Sequence, residues 1–360
     1  MIGRNLMTKR IPAHFMWVML LFALGGCAAF KPTLNVSLTN PVAASPTGLP
    51  ASGTPTASMP VPQPSVTFGI TQTATLTPEP TAAPSPAPTR TPGPVPEFSH
   101  VFFVILENRE FGFVVGNSIM PVYNQWASQY TLLTSEFAIT HPSLPNYLAL
   151  IGGDTFNVTS DCTDCFINAP SLPDQIEASG RTWKTYQEDL PSPCFTGSRG
   201  NYAQKHNPFI YFDPIRLDPV RCQRSIVPLT QLTADLSARQ LPDFAMIVPN
   251  MCNSGHDCDL DKVDAWLATW VSPLIGLDAR SLIIITWDEG QGDHGCCGLN
   301  PAGGRVATLL ISDLAKPAFQ DNTPYTHYSL LKTIETAWDL PLLGHAADPQ
   351  MVLLTVPWKR

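Results

Sequence analysis

Residues 28–97 cannot build a hydrophobic core. The stretch is rich in Pro, Thr, Ser and Ala and carries steps such as Pro78-Glu79-Pro80-Thr81 and Pro84-Ser85-Pro86-Ala87-Pro88. It shows no apolar periodicity, so it has too little surface to bury against the entropy of ordering it. Proline biases it toward an extended spacer. The chain is therefore expected to divide into a leader over 1–26, a linker over 27–97 and one folded domain over 98–360. With 44% hydrophobic residues in 360, that domain has material for a sizeable core.

The leader has the order of an export signal. Arg4, Lys9 and Arg10 precede a short apolar run from Phe15 to Leu24, and small residues follow. The run is too short to read as a membrane-spanning helix. Leu24-Gly25-Gly26-Cys27 resembles a bacterial lipobox, which predicts lipidation of Cys27 and an extracytoplasmic protein held to the cell envelope. The plainer alternative is a secretory signal with an incidental cysteine. The other eight cysteines lie between Cys162 and Cys297, an even set that suits disulfides outside the cytoplasm. Cys252 with Cys258 and Cys194 with Cys222 are the expected local pairs. Cys162 and Cys165 also read as half of a zinc site, but no second pair matches their spacing. Cys296 and Cys297 stay unassigned. The net charge of −8 argues against a nucleic-acid partner. It leaves small phosphate substrates open, because a bound cation supplies positive charge locally. No protein partner is expected.

Beyond Pro96 short apolar runs alternate with helical patterns. Strands are expected at 101–106, 244–248, 282–287 and 306–311. Helices are expected at 118–130, 144–151, 171–178, 229–238, 259–275 and 328–338. The 259–275 helix carries Val263, Trp266, Leu267 and Trp270 on one stripe. This alternation predicts an α/β fold with a mainly parallel sheet.

Two of the strands end in oxygen-rich pairs, Glu107 with Asn108 and Asp288 with Glu289. Parallel sheets bind ligands at the carboxyl ends of their strands. If these strands are neighbours, the carboxylates converge and repel unless a cation or protons intervene, so a divalent metal ion is the expected cofactor. Each pair alone also reads as a strand end or turn. Ser143, in His141-Pro142-Ser143-Leu144-Pro145-Asn146-Tyr147, opens a helix, where free N–H groups suit a phosphate. It reads either as a nucleophile or as a plain N-cap. Asn146 is a candidate donor to phosphate. His256 and His294 follow strand ends and are candidates for proton transfer, with His141 and Asp257 as substrate contacts. His327 also stands at a helix start.

Taken in order, these segments resemble the bacterial phosphoesterase family of acid phosphatases and phosphatidylcholine-hydrolysing phospholipases C. The resemblance rests on His100 to Asn108, the His141 segment extended by Leu148-Ala149-Leu150, and Pro249-Asn250 with His256-Asp257. Thr286-Trp287-Asp288-Glu289, Gly303-Gly304-Arg305-Val306 and the segment from Tyr325 to Glu335 continue it, so that it spans 100–345. It implies an alkaline-phosphatase-like three-layer fold and metal-assisted hydrolysis of a phosphate ester. It implies Glu107, Asn108, Asp288 and Glu289 as metal ligands and Ser143 as nucleophile. Ser254 stands where the family often has a carboxylate, which puts that position's role in doubt. The compact Ser143 segment favours phosphate monoesters, including phosphoinositides, over phospholipase C chemistry. A non-catalytic surface lipoprotein on the same fold is the reading from another class.

Overall fold

The computed structural model describes residues 93–300 and 302–359. The leader, Cys27 and all but the last residues of the linker lie outside them. The domain takes in the end of the expected linker. Val95 and Phe98 are buried, Glu97 pairs with Arg181 at 2.8 Å, and the Trp338 indole donates to the Phe98 carbonyl.

Nine strands form one sheet: β1 Val101–Leu106, β2 Thr131–Phe137, β3 Trp183–Gln187, β4 Ile226–Pro228, β5 Phe244–Val248, β6 Leu282–Trp287, β7 Arg305–Ile311, β8 Phe319–Asp321 and β9 Tyr325–Thr326. Their order is β4-β3-β5-β1-β6-β7-β2-β8, with β9 also on β2. All neighbours are parallel except β7, which runs against both β6 and β2. The expected mainly parallel α/β architecture is therefore present, with one reversed strand inside it.

The central strands are buried on both faces, which is why they read as unbroken apolar runs. Val101, Phe103 and Ile105 point to one face, Phe102, Val104 and Leu106 to the other. Helices α1 Phe111–Val114 and α2 Pro121–Gln129 cover the second face. Helices α3 Ser143–Gly152, α4 Leu172–Ala178, α5 Asp213–Arg216 and α6 Pro219–Ser225 cover the first. Helices α7 Thr230–Ala238 and α8 Leu260–Trp270 return to the second face, and α9 His327–Ala337 to the first. Three layers result, as the resemblance implied. Helix α3 is buried along its whole length, so it sits as a core element with its first residue at the sheet's carboxyl edge. Among the described residues no helix is long and apolar enough to cross a membrane.

Candidate active site

The register of the sheet assembles the site. β1 and β6 are parallel neighbours with Leu106 opposite Trp287, so the residues that follow each strand, Glu107 and Asp288, emerge side by side. The Asn108 amide donates to Asp288 Oδ1 at 3.0 Å, and Asn108 itself takes a left-handed φ of 53° that turns the chain away from the sheet. β2 ends at the same edge and leads directly through His141 to Ser143. The loop after β6 is drawn in by Glu110, whose carboxylate accepts from the amides of Gln291, Gly292 and Arg305. Gly303 and Gly304 then pass against the 138–140 segment, the Ala138 amide donating to the Gly304 carbonyl. Gly304 has φ +83°, and a Cβ on Gly303 would strike the Thr140 carbonyl oxygen.

At the centre, Ser143 Oγ lies 3.2 Å from Glu107 Oε2 and 3.4 Å from Glu289 Oε1. The Tyr147 hydroxyl, one turn along α3, donates to Glu107 Oε1. His141 Nδ1 meets Glu289 Oε2 at 2.5 Å and its Nε2 faces the Gly292 carbonyl at 3.1 Å. Asp288 Oδ2 is buried and has no partner. Burial is the main cause of the shifts here. It raises Glu107 to about 7 against the pull of its hydrogen bonds. It raises Glu289 to about 8, assisted by the charge of Asp288, and pushes Asp288 well above its ordinary range, assisted by Glu107. Burial lowers His206 to about 3, so the ring is neutral. His206 lies flat on Tyr147, and its Nε2 approaches Glu107 Oε2 to 3.1 Å without hydrogen-bond alignment. Burial alone would lower His141, yet the Gly292 carbonyl and Glu289 carboxylate raise it.

Glu107, Asp288 and Glu289, with Asn108 and Ser143 beside them, make a set of oxygen donors that suits a hard divalent cation. The unpartnered Asp288 oxygen and the three carboxylates held in protonation-prone surroundings fit such an ion. Among the described residues no three His, Cys, Asp or Glu side chains stand in ready coordinating positions. The oxygens of Glu107 and Glu289 instead meet Tyr147, Ser143 and His141.

Other expected residues are placed differently. Asn146 does not offer its amide to a ligand. Its Oδ1 accepts from the amides of Ile139 and Thr140, and its Nδ2 donates to the carbonyls of Thr140 and Pro142. It is a clamp that shapes the turn ahead of Ser143, because a buried amide must satisfy all its groups. His294 is exposed on the loop after β6, next to Asp293 and close to the Gly292 whose carbonyl faces His141. His256 is brought near the site by a loop closed between Cys252 and Cys258 and pinned by Asn250. Asp257 is exposed and accepts from His256 Nδ1 at 2.7 Å, so it orients that ring. Ser254 is buried, and its carbonyl accepts the Glu107 amide.

Several residues were not singled out by sequence. Tyr147 lay within the quoted motif without a role, and a hydroxyl one turn from Ser143 was the available signal. Lys205 and His206 sit on a short turn before Asn207-Pro208, in a region with no strand to mark a site. Asp161 accepts the Leu144 amide at 3.0 Å and Lys205 Nζ at 2.9 Å. His327, noted in the sequence at a helix start, is fully buried, its Nε2 donating to the Asp288 carbonyl at 2.6 Å and its Nδ1 3.6 Å from Glu136. The cysteines pair as Cys162–Cys165, Cys194–Cys222, Cys252–Cys258 and Cys296–Cys297. Cys162 and Cys165 are thus joined to each other, and the half-site reading for zinc does not hold.

A carboxylate cluster thus faces a helix-borne serine at the carboxyl edge of a mainly parallel sheet, and comparison with known proteins gives the chain that holds it a family. The chain belongs to the Phosphoesterase family, whose profile matches residues 116–341. Among its relatives are an acid phosphatase of Aspergillus fumigatus, 33% identical over 69% of this chain, and a phosphatidylinositol-3-phosphatase of Mycobacterium tuberculosis, 32% identical over 71%. The chain spans 56% of the length of the first and 81% of the second. Solved structures are more distant. A lipoteichoic acid synthase, LtaP, of Listeria monocytogenes shares 10% identity at a TM-score of 0.49, covering 71% of this chain and 74% of that one.

Proposed function

We propose that the protein hydrolyses phosphate monoesters through Ser143, as a metal-assisted phosphatase of the cell envelope. The observation that carries this is the Ser143 hydroxyl held between the carboxylates of Glu107 and Glu289 at the start of α3. Relatives named as phosphatases support the reaction class, and the mycobacterial relative's name favours a phosphoinositide among the substrates. Glu107, Asn108, Asp288 and Glu289 would hold a divalent cation, which when bound supplies the positive charge that favours an ionised serine and a polarised phosphoryl group.

The chain's own residues do the rest. Ser143 Oγ forms a bond to phosphorus as the bond to the leaving alkoxide breaks, giving a phosphoserine and an alcohol. His141 shares Glu289 with Ser143 and is the imidazole placed to deliver a proton to the departing oxygen. Water then attacks the phosphoserine, and inorganic phosphate leaves as Ser143 recovers its proton. Tyr147, with His206 stacked on its ring, fixes Glu107 while this happens, and Asn146 fixes the turn. The lipobox at Cys27 supports an envelope location.

The test is phosphate release from p-nitrophenyl phosphate by the intact protein and by Ser143→Ala, each with and without a chelator. We expect the variant to lose about 1,000-fold or more in kcat, the scale of a lost nucleophile, and chelation to abolish turnover reversibly. Near-normal turnover by Ser143→Ala would remove the serine from this role.

A further inference from the structure

We infer that Lys205 is a substrate-contacting residue that reads the second negative charge of a phosphate monoester, and so sets preference for monoesters over diesters. The inference rests on the phosphatase reading above and assigns a specificity determinant to that same site.

The argument begins with position. Lys205 Nζ donates to Asp161 Oδ2 at 2.9 Å, and the other oxygen of Asp161 accepts the amide of Leu144, the residue after Ser143. The ammonium is thereby tied to the first turn of the helix that carries the serine. Its second contact is His256 Nε2 at 3.4 Å, a long bond. His256 Nδ1 faces the Asp257 carboxylate, which leaves Nε2 turned toward Lys205. An ammonium has three donors, and Asp161 and His256 take two of them. The Lys205 side chain keeps 17% exposure, so it is not sealed from solvent.

Charge gives the second support. Glu107, Asp288 and Glu289 crowd around Ser143, and Asp161 adds a fourth carboxylate. Where these carboxylates are ionised they repel a dianionic substrate, and a cation beside Ser143 lessens that repulsion. Burial alone would lower the Lys205 ammonium, but its bond to Asp161, with smaller contributions from Glu107 and Asp288, holds it above its ordinary range. Arg109 follows Asn108 directly but spends its guanidinium on the carbonyls of Asn108 and Cys258. Among the described residues Lys205 is thus a cation positioned to donate to a non-bridging phosphoryl oxygen, exchanging its long His256 contact while Asp161 holds its place. A monoester dianion has three such oxygens sharing two charges, whereas a diester has two sharing one. The ammonium therefore stabilises the monoester more.

The test compares the full-length protein with Lys205→Gln, which is neutral and can still donate to Asp161, and Lys205→Arg, which keeps the charge. kcat/KM is measured on p-nitrophenyl phosphate and on bis-p-nitrophenyl phosphate, and binding of inorganic phosphate is measured by calorimetry. We expect Lys205→Gln to lose about 30-fold on the monoester and less than about 5-fold on the diester, the range of a lost charge-assisted hydrogen bond. Phosphate affinity should fall alongside, and Lys205→Arg should retain most of the selectivity. A purely structural lysine would instead lower both substrates equally and leave phosphate affinity unchanged, and that result overturns the assignment. Equal loss of selectivity in the Arg and Gln variants overturns it as well, and stays readable if the Gln variant folds poorly. A wild-type protein inactive on both esters would sink the phosphatase reading and this inference together.

Discussion

Glu335 shows what burial does to one residue away from the site. It lies on α9 with no exposed surface, its Oε1 accepts the Leu343 amide at 3.0 Å, and its Oε2 has no partner. Burial raises it from 4.5 to about 8, although the Leu343 amide and Lys332 pull the other way. The folded state therefore holds the proton more tightly than the unfolded state. Its stabilising contribution is complete below about pH 4.5 and is lost as pH rises toward about 8. Replacing it by Gln keeps an acceptor for Leu343 and removes the titration. We expect the thermal midpoint of Glu335→Gln to fall less between pH 5 and pH 8 than that of the wild type, measured by calorimetry. Identical slopes would show that Glu335 does not carry this dependence. The same burial acts at Glu107, Asp288 and Glu289, but there the groups face one another. The convergence of those carboxylates was legible from sequence because both pairs follow apolar strands. The satisfied state of Asn146 was not, since an amide beside a candidate nucleophile looks the same in sequence whether it faces a ligand or its own turn.

At the scale of elements, α3 carries Ser143, the proposed nucleophile, at one end and an obligatory glycine at the other. Gly153 caps the helix with φ +72°, and a Cβ there would run into the Leu343 carbonyl oxygen. The His345 amide donates to the Gly153 carbonyl at 2.7 Å, so the C-terminal turn of α3 is knitted to the 343–345 segment. Gly153→Ala adds both a left-handed strain and a clash, for a cost of about 2 kcal/mol or more. Urea unfolding should show that loss as a lower midpoint at an unchanged slope, and an unshifted midpoint would mean that the segment simply moves aside. The strands at 101–106, 244–248 and 282–287 were readable because burial on both faces leaves a continuous apolar run. β2 was missed because it mixes Thr, Ser and Glu with its apolar residues, and Glu136 points into the buried contact with His327. β3 was missed for a related reason, with Lys184 and Gln187 inside a strand that packs beside β5. β7 was found, but its reversed direction depends on pairing with β2 and leaves no trace in its own residues.

For the whole molecule, the disulfides determine how the domain behaves outside a reducing compartment. Cys194 and Cys222 are separated by 28 positions and tie the loop after β3 to α6, with Cys222 fully buried in the core of the first face. Cys162 and Cys165 are separated by only 3 and close a single turn. A cross-link restricts the unfolded chain more as its loop lengthens, so the chain-entropy model assigns the first bond about 3.5 kcal/mol and the second roughly half of that. Removing each pair as a double Ser variant therefore makes a graded prediction. Cys194→Ser with Cys222→Ser should lower the thermal midpoint more than Cys162→Ser with Cys165→Ser, in oxidising buffer, while the gap narrows when a reductant is added to all three proteins. The buried sulfur of Cys222 adds a packing loss in the same direction. If the short pair proves the more stabilising, loop entropy is not the controlling factor. The Cys162–Cys165 turn would then act through Asp161, which lies beside it and joins α3 to Lys205, and its removal should be felt in turnover before it is felt in unfolding.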